Sequence, residues 1–192
     1  MKKVVMSVAC GALLAAGCAG MESKEPTATA KLEPRSGSKV QGTVTFTQIG
    51  DVVRITGEIT GHTKGPKGFH IHDKGDCSDD KAMSTGGHFN PGAHKHGGPY
   101  DPVKHAGDLG NLSFNDAGVA KINFTVGDIA VNSSSPNGII GRAVIVHAGT
   151  DDFKTDPTGN AGGRVACGVI RKPDRDFRRI RPAPATARAV SF

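Results

Sequence analysis

Hydrophobic and polar residues alternate along short runs of this chain, with the two-residue period of β-strands. Val40–Thr47 (VQGTVTFT) places Val44 and Phe46 in phase, and Val52–Thr60 (VVRITGEIT) does the same with Val53, Ile55 and Ile59. Ala28–Glu33 is a shorter first run, followed by a turn over Pro34–Gly37. Gly68–His72 is another short strand, and Leu109–Phe114 and Val119–Val126 flank the sequence NDAG, which predicts a four-residue hairpin turn. Ile139–His147 (IIGRAVIVH) is the most apolar run, and Val165–Ile170 is the last. No stripe of period 3.6 reaches helical length. Gly/Pro/Asp-rich stretches cover Asp73–Lys104 and Ala148–Gly163, and loops of this length are usually functional or disordered. Eight short strands and two long loops predict an all-β antiparallel sandwich or barrel.

Composition fits that picture. The 192 residues set a prior of one domain, hydrophobic content is 36%, glycines number 27 and tryptophan is absent. The net charge of +6 changes meaning once it is divided along the chain. Residues 171–192 hold seven Arg/Lys against two Asp, whereas residues 24–170 hold 15 basic and 15 acidic residues and are neutral. The basic character therefore belongs to a tail and says little about the domain. That tail (RKPDRDFRRIRPAPATARAVSF) has no period and reads as a disordered, solvated extension, in preference to a nucleic-acid or anionic-surface contact.

The other end carries an export signal. Lys2-Lys3 is its charged region and Val4–Ala16 its apolar run, too short to span a bilayer. Leu14-Ala15-Ala16-Gly17-Cys18 resembles a bacterial lipoprotein cleavage box, although Ala15 stands where Leu is usual. It predicts residues 1–18 as a signal with Cys18 lipidated, and residues 19–27 as a polar tether. The resulting location is the cell envelope or periplasm, with a lipid anchor in the membrane. With Cys10 removed and Cys18 lipidated, Cys77 and Cys167 remain, an even pair in an oxidising compartment. A bridge between them closes a loop of about 90 residues, worth on the order of 4 kcal/mol in the chain-entropy account.

Candidate chemistry lies in the histidines. His70, His72, His88, His94, His96 and His105 crowd into one stretch, and His62 and His147 lie outside it. On a strand, the rings of His70 and His72 share a face. His88, His96, His105 and Asp108 form a three-imidazole, one-carboxylate set suited to tetrahedral zinc. A second, imidazole-rich set suits copper.

The segments GFHIH, GGHFNP, KHGGP, HAGDLGN, VIVHAGTDD and GNAGGRVACGVI, in that order, resemble the copper/zinc superoxide dismutase family over residues 28–170. That family is itself a known instance of the β-sandwich architecture and of electrostatically steered catalysis. The resemblance implies an eight-stranded antiparallel Greek-key barrel and a superoxide substrate, with one copper and one zinc per subunit. His70, His72, His88 and His147 would bind copper. His88, His96, His105 and Asp108 would bind zinc, with His88 bridging the two metals. Asp151 would join the copper ligand His72 to the zinc ligand His96. Arg164 would sit beside the open copper position and Thr158 at the channel mouth. His62 and His94 match no ligand and are expected at the surface.

Lys67, Lys74, Lys95, Lys104 and Lys154 are candidate steering charges, offset locally by Asp73, Asp76, Asp79 and Asp80. Gly86, Gly87, Gly97 and Gly98 are expected to serve turns near the metals, and Asp152 and Asp156 to be solvated. Cys77 follows His72 by five residues, as in bacterial periplasmic members, but the long insertion of many such members is absent. Subunit contacts differ between the family's branches, so monomer and homodimer both stay open. Two functions compete: an envelope superoxide dismutase with catalytic Arg164 and His88, and a non-catalytic copper/zinc-binding protein on the same fold. A metal sink needs neither Arg164, nor a bridging His88, nor Asp151.

Overall fold

The structure is a computed structural model, and it describes residues 25–173. The export signal, Cys18 and most of the tether and basic tail lie outside the described residues. Among those described, no helix is long and apolar enough to cross a membrane.

Eight strands form the domain: β1 Thr27–Pro34, β2 Gln41–Ile49, β3 Val52–Thr60, β4 Gly65–His72, β5 Asp108–Phe114, β6 Val119–Val126, β7 Ala143–His147 and β8 Arg164–Val169. Their order across the sheet is β5-β4-β7-β8-β1-β2-β3-β6, and every ladder is antiparallel. This is the expected Greek-key barrel. β1 joins its two halves. It pairs with β2 along most of its length and reaches β8 through Glu33 and Pro34.

Two sequence expectations need correction. The run Ile139–His147 is not all strand. Arg142 N–H donates to Ile139 O, Gly141 has φ +90°, and β7 begins only at Ala143. Ile139 is apolar because it fills the core as part of a turn. NDAG does form a turn, closed by Gly118 N–H to Asn115 O and by Asn115 Oδ1 on the Ala117 and Val119 amides. The strands it joins make no ladder beyond the turn, however: β5 and β6 end the strand order and meet at the seam of the barrel.

The inward residues make one core, including Val44, Phe46, Val53, Ile55, Phe69, Ile71, Leu112, Phe114, Val144 and Val146. β7 is buried at every position. Val144 and Val146 face the barrel interior, while Ala143 and Ile145 pack outward with Cys167 and Ala82. Burial on both faces explains the nearly continuous apolar run. The long loops cover the outer face of β4, β7 and β8, and the histidines lie between sheet and loops. The disulfide Cys77–Cys167 pins the first loop to β8.

Candidate metal centre

β4 supplies the first two ligands by simple alternation. Phe69 and Ile71 point into the core, so His70 and His72 point out of the barrel. Asp108 and Arg164 reach the same outer face because the ladders shift register beside them. Between the pairs Gly68↔Asn111 and His70↔Asp108, β5 advances one residue more than β4. Between Val146↔Ala166 and His147↔Arg164, β8 gains one over β7. Strict alternation from Leu112 or Ala166 would turn both polar side chains into the core, and each extra residue re-aims one outward.

Seven ligand side chains converge as two sets of four that share His88. One is His70, His72, His88 and His147, the other His88, His96, His105 and Asp108, and all are buried. Within each set the ligand atoms lie within 4.8 Å of one another. Hydrogen bonds select which atom each residue presents. His72 Nδ1–H donates to Gly86 O at 2.9 Å and His147 Nδ1–H to Gly162 O at 3.0 Å. Both Nε2 atoms therefore carry lone pairs, and they face each other at 3.4 Å. His70 Nε2–H donates to Asp151 Oδ2 at 2.7 Å, which turns Nδ1 toward the same point. Asp108 Oδ2 accepts the Gly97 and His105 amides, leaving Oδ1 2.8 Å from His88 Nδ1, 3.1 Å from His96 Nδ1 and 3.2 Å from His105 Nδ1.

Three buried ring nitrogens lack a well-formed hydrogen bond: His70 Nδ1 and His88 Nε2 have no partner, and His96 Nδ1 lies 3.1 Å from Asp108 Oδ1 in poor hydrogen-bond geometry. Burying such atoms unpaired is costly. All three belong to the two sets, and cations at the two foci would satisfy them. The donor chemistry fits copper in the all-imidazole set and zinc in the set with a carboxylate.

Burial holds His72, His88 and His147 in the neutral form that a metal requires. Burial lowers His88 to about 4, with Asp108 opposing and His70 adding to the shift. Burial lowers His147 to about 3 and His72 well below its ordinary value, assisted by the neighbouring rings and Arg164. Burial acts on His96 too, but the adjacent Asp108 and Asp151 carboxylates outweigh it and raise the metal-free residue to about 10. Asp108 and Asp151 resist protonation: burial alone would raise them, but their histidine hydrogen bonds prevail.

Asp151 links the two sets, although not through the residue expected. Its Oδ1 accepts from His96 Nε2 at 2.8 Å and its Oδ2 from His70, not from His72. The two β4 rings share a face, so alternation could not decide between them. The main-chain carbonyl of Gly86 had already taken the His72 proton.

Arg164 is half-buried, and its guanidinium donates to Ala82 O at 2.6 Å and Gly86 O at 2.7 Å. Burial lowers its pKa somewhat. Thr158 is exposed, with its amide donating to Thr155 O.

Several other expectations change. His62 is half-buried: its ring lies 5.0 Å from that of Phe114, and its Nε2–H donates to the His147 carbonyl at 3.1 Å. His94 is exposed, as expected. Lys104 drops out of the steering set because it is buried and paired with Asp128 at 2.5 Å. Asp156 is not merely solvated, since its Oδ1 accepts the His96 amide at 2.8 Å.

Gly159 was missed. It has φ +63°, and a Cβ there would run into Asp151 Oδ1 and come 2.5 Å from His96 Nε2. Only a residue without a side chain lets this loop close over the linking carboxylate. Its place in TGNAGGR, beside Arg164, was the available signal.

The fold and the two converging ligand sets define a β-barrel with a candidate two-metal centre. The family model for copper/zinc superoxide dismutase matches residues 40–170, and the chain belongs to that family. Among solved structures, the chain is similar to the crystal structure of the clock protein EA4, at 44% identity and a TM-score of 0.71. That match covers 79% of this chain and 97% of the other.

Proposed function

We propose that the protein is a superoxide dismutase of the cell envelope. Two superoxide anions and two protons would become one dioxygen and one hydrogen peroxide. The observation that carries this reading is Arg164: a guanidinium fixed by carbonyls, across the ladder from His147 and beside the all-imidazole set. Arg has five N–H donors, so a fixed fork remains available for a small anion.

Bound copper would supply one-electron exchange in both directions, while zinc would hold the shared ring in place. Arg164 receives and orients the anion. His88 presents Nε2 to the copper set and Nδ1 to the zinc set, so its Nε2 can hold and release a proton close to the bound anion. Asp151 fixes the orientation of His70 and His96 together. The reading also takes residues 28–170 as the catalytic domain, with Thr158 at the channel mouth. Observed pairing runs slightly wider, since Thr27 lies in β1 and Arg171 bridges Thr29.

The test is dismutation by purified protein carrying measured copper and zinc. Rapid turnover that vanishes on chelation and returns with both metals is the expected result. Full occupancy without turnover would overturn the reading.

A second reading has its own support. One similar solved structure is of a protein named for a clock and not for catalysis. On that reading this chain is a non-catalytic copper/zinc-binding protein. The fixed Arg164, the shared His88 and the Asp151 link favour the enzyme, because storage needs none of them.

Envelope localisation rests on the predicted export signal and on the disulfide, which is consistent with an oxidising compartment. Lipidated Cys18 would anchor the protein, with residues 19–27 as tether and 171–192 as a solvated tail.

A further inference from the structure

We propose that Thr85 is a positioning residue for Arg164, its buried hydroxyl completing the cradle that aims the guanidinium at a small anion. The inference rests on the dismutase reading of the same site.

Thr85 ends the short 3₁₀ turn Met83–Thr85 and is fully buried. A hydroxyl has one proton to give. Thr85 Oγ1 donates its proton to Ala82 O at 2.8 Å, so it can only accept from its other neighbours. It accepts from Arg164 Nη1 at 2.9 Å. It also lies 3.3 Å from His72 Nδ1, whose proton already goes to Gly86 O.

The donor count then closes on one side of Arg164. Nη1 has two protons, spent on Ala82 O and Thr85 Oγ1. Nη2 spends one on Gly86 O. The second Nη2 proton and the Nε proton remain for a ligand. The two carbonyls belong to the loop backbone and are present whatever the side chains. The hydroxyl is the one element of the cradle that a substitution can delete without moving the backbone. Without it, an Nη1 proton faces apolar atoms in a half-buried setting, and the planar group gains by tilting toward other acceptors. Tilting misdirects the two remaining donors.

The experiment uses the copper- and zinc-loaded protein with azide as the small-anion probe, followed by the change in the copper absorption spectrum. Thr85→Val keeps the shape and removes the hydroxyl. Thr85→Ala removes it without branching and carries the same test if the valine variant does not fold. Both are expected to weaken azide binding roughly three- to tenfold with metal content unchanged. Thr85→Ser is expected to restore wild-type affinity. In an Arg164→Ala background, removing the hydroxyl should have no further effect, because the cycle isolates the pair.

Wild-type azide affinity in the Val and Ala variants would overturn the proposal. So would an equal loss in the Arg164→Ala background, or loss of copper, which would place the role at His72. Azide binding does not require turnover. A protein that fails the dismutation assay but shows this cycle loses the functional reading and keeps the Thr85–Arg164 coupling.

Discussion

His147 and Arg164 face each other directly across β7 and β8, one residue beyond a shift in the register of that ladder. A candidate metal ligand and a fixed cation are thereby set side by side on paired strands, not on the loops.

Replacing Arg164 by Ile should therefore separate binding of metal from turnover. The guanidinium touches only loop oxygens, so both metals should stay bound. Dismutation should fall by about tenfold or more, the loss expected for a charge acting at the substrate position. Metal analysis beside an activity assay checks this, and loss of metal in place of turnover would contradict the assigned role.

Cys77→Ser should destabilise the domain by on the order of 4 kcal/mol, because the bridge closes a loop with a sequence separation of 90 residues. The same loop presents Ala82 O and Gly86 O to Arg164. Activity at temperatures well below unfolding should decline as well. Chemical denaturation of the oxidised mutant beside wild type measures the first effect, and an unchanged midpoint would count against it.

His88→Ala discriminates a coupled centre from two independent ones. With copper in both sites, the oxidised wild type should show magnetic coupling through the shared ring, and the mutant should not. His70, His72 and His147 remain in the mutant, so some copper should be retained while most activity is lost. Electron paramagnetic resonance reads the coupling, and an uncoupled wild type would remove the bridge from the mechanism.

The pH dependence of the metal-free protein has a predicted sign. His72, His88 and His147 are held neutral by burial, with His88 at about 4 and His147 at about 3. In the unfolded chain they protonate near their ordinary value of about 6.5. Their contribution is thus present above 6.5 and is lost as pH falls toward 3. His96 runs the other way: raised to about 10, it stabilises fully below 6.5 and loses that contribution as pH rises toward 10. Thermal unfolding of the chelated protein should therefore show falling stability on both sides of roughly pH 6.5. A midpoint constant between pH 4 and 6.5 would contradict the buried-neutral assignment.

The anchor has a direct test. Cells grown with labelled fatty acid should label the protein, and Cys18→Ala should abolish the label. A mature protein that starts elsewhere and carries no label would reject the lipoprotein box.

Local pattern revealed the strands because each has an alternating inward set, as with Val53, Ile55 and Ile59 on β3. The resemblance of short segments to a family pointed to the seven candidate ligands that the fold brings together. Local pattern failed where tertiary contacts decide. Ile139 is as apolar as a strand residue but fills the core from a turn. His62 binds a carbonyl 85 residues away, and no local signal reports that partner. The choice of His70 over His72 for Asp151 depended on a loop carbonyl, and the need for glycine at 159 depended on a carboxylate from the same folded loop.

Because His88 belongs to both candidate ligand sets, neither site would have a metal affinity of its own. Occupation of one would fix the orientation of the shared ring and favour loss of the proton that the other must displace. The resulting coupling is reciprocal by thermodynamic necessity: whatever zinc does for copper affinity, copper does equally for zinc. The availability of one metal would thus set how firmly the protein holds the other.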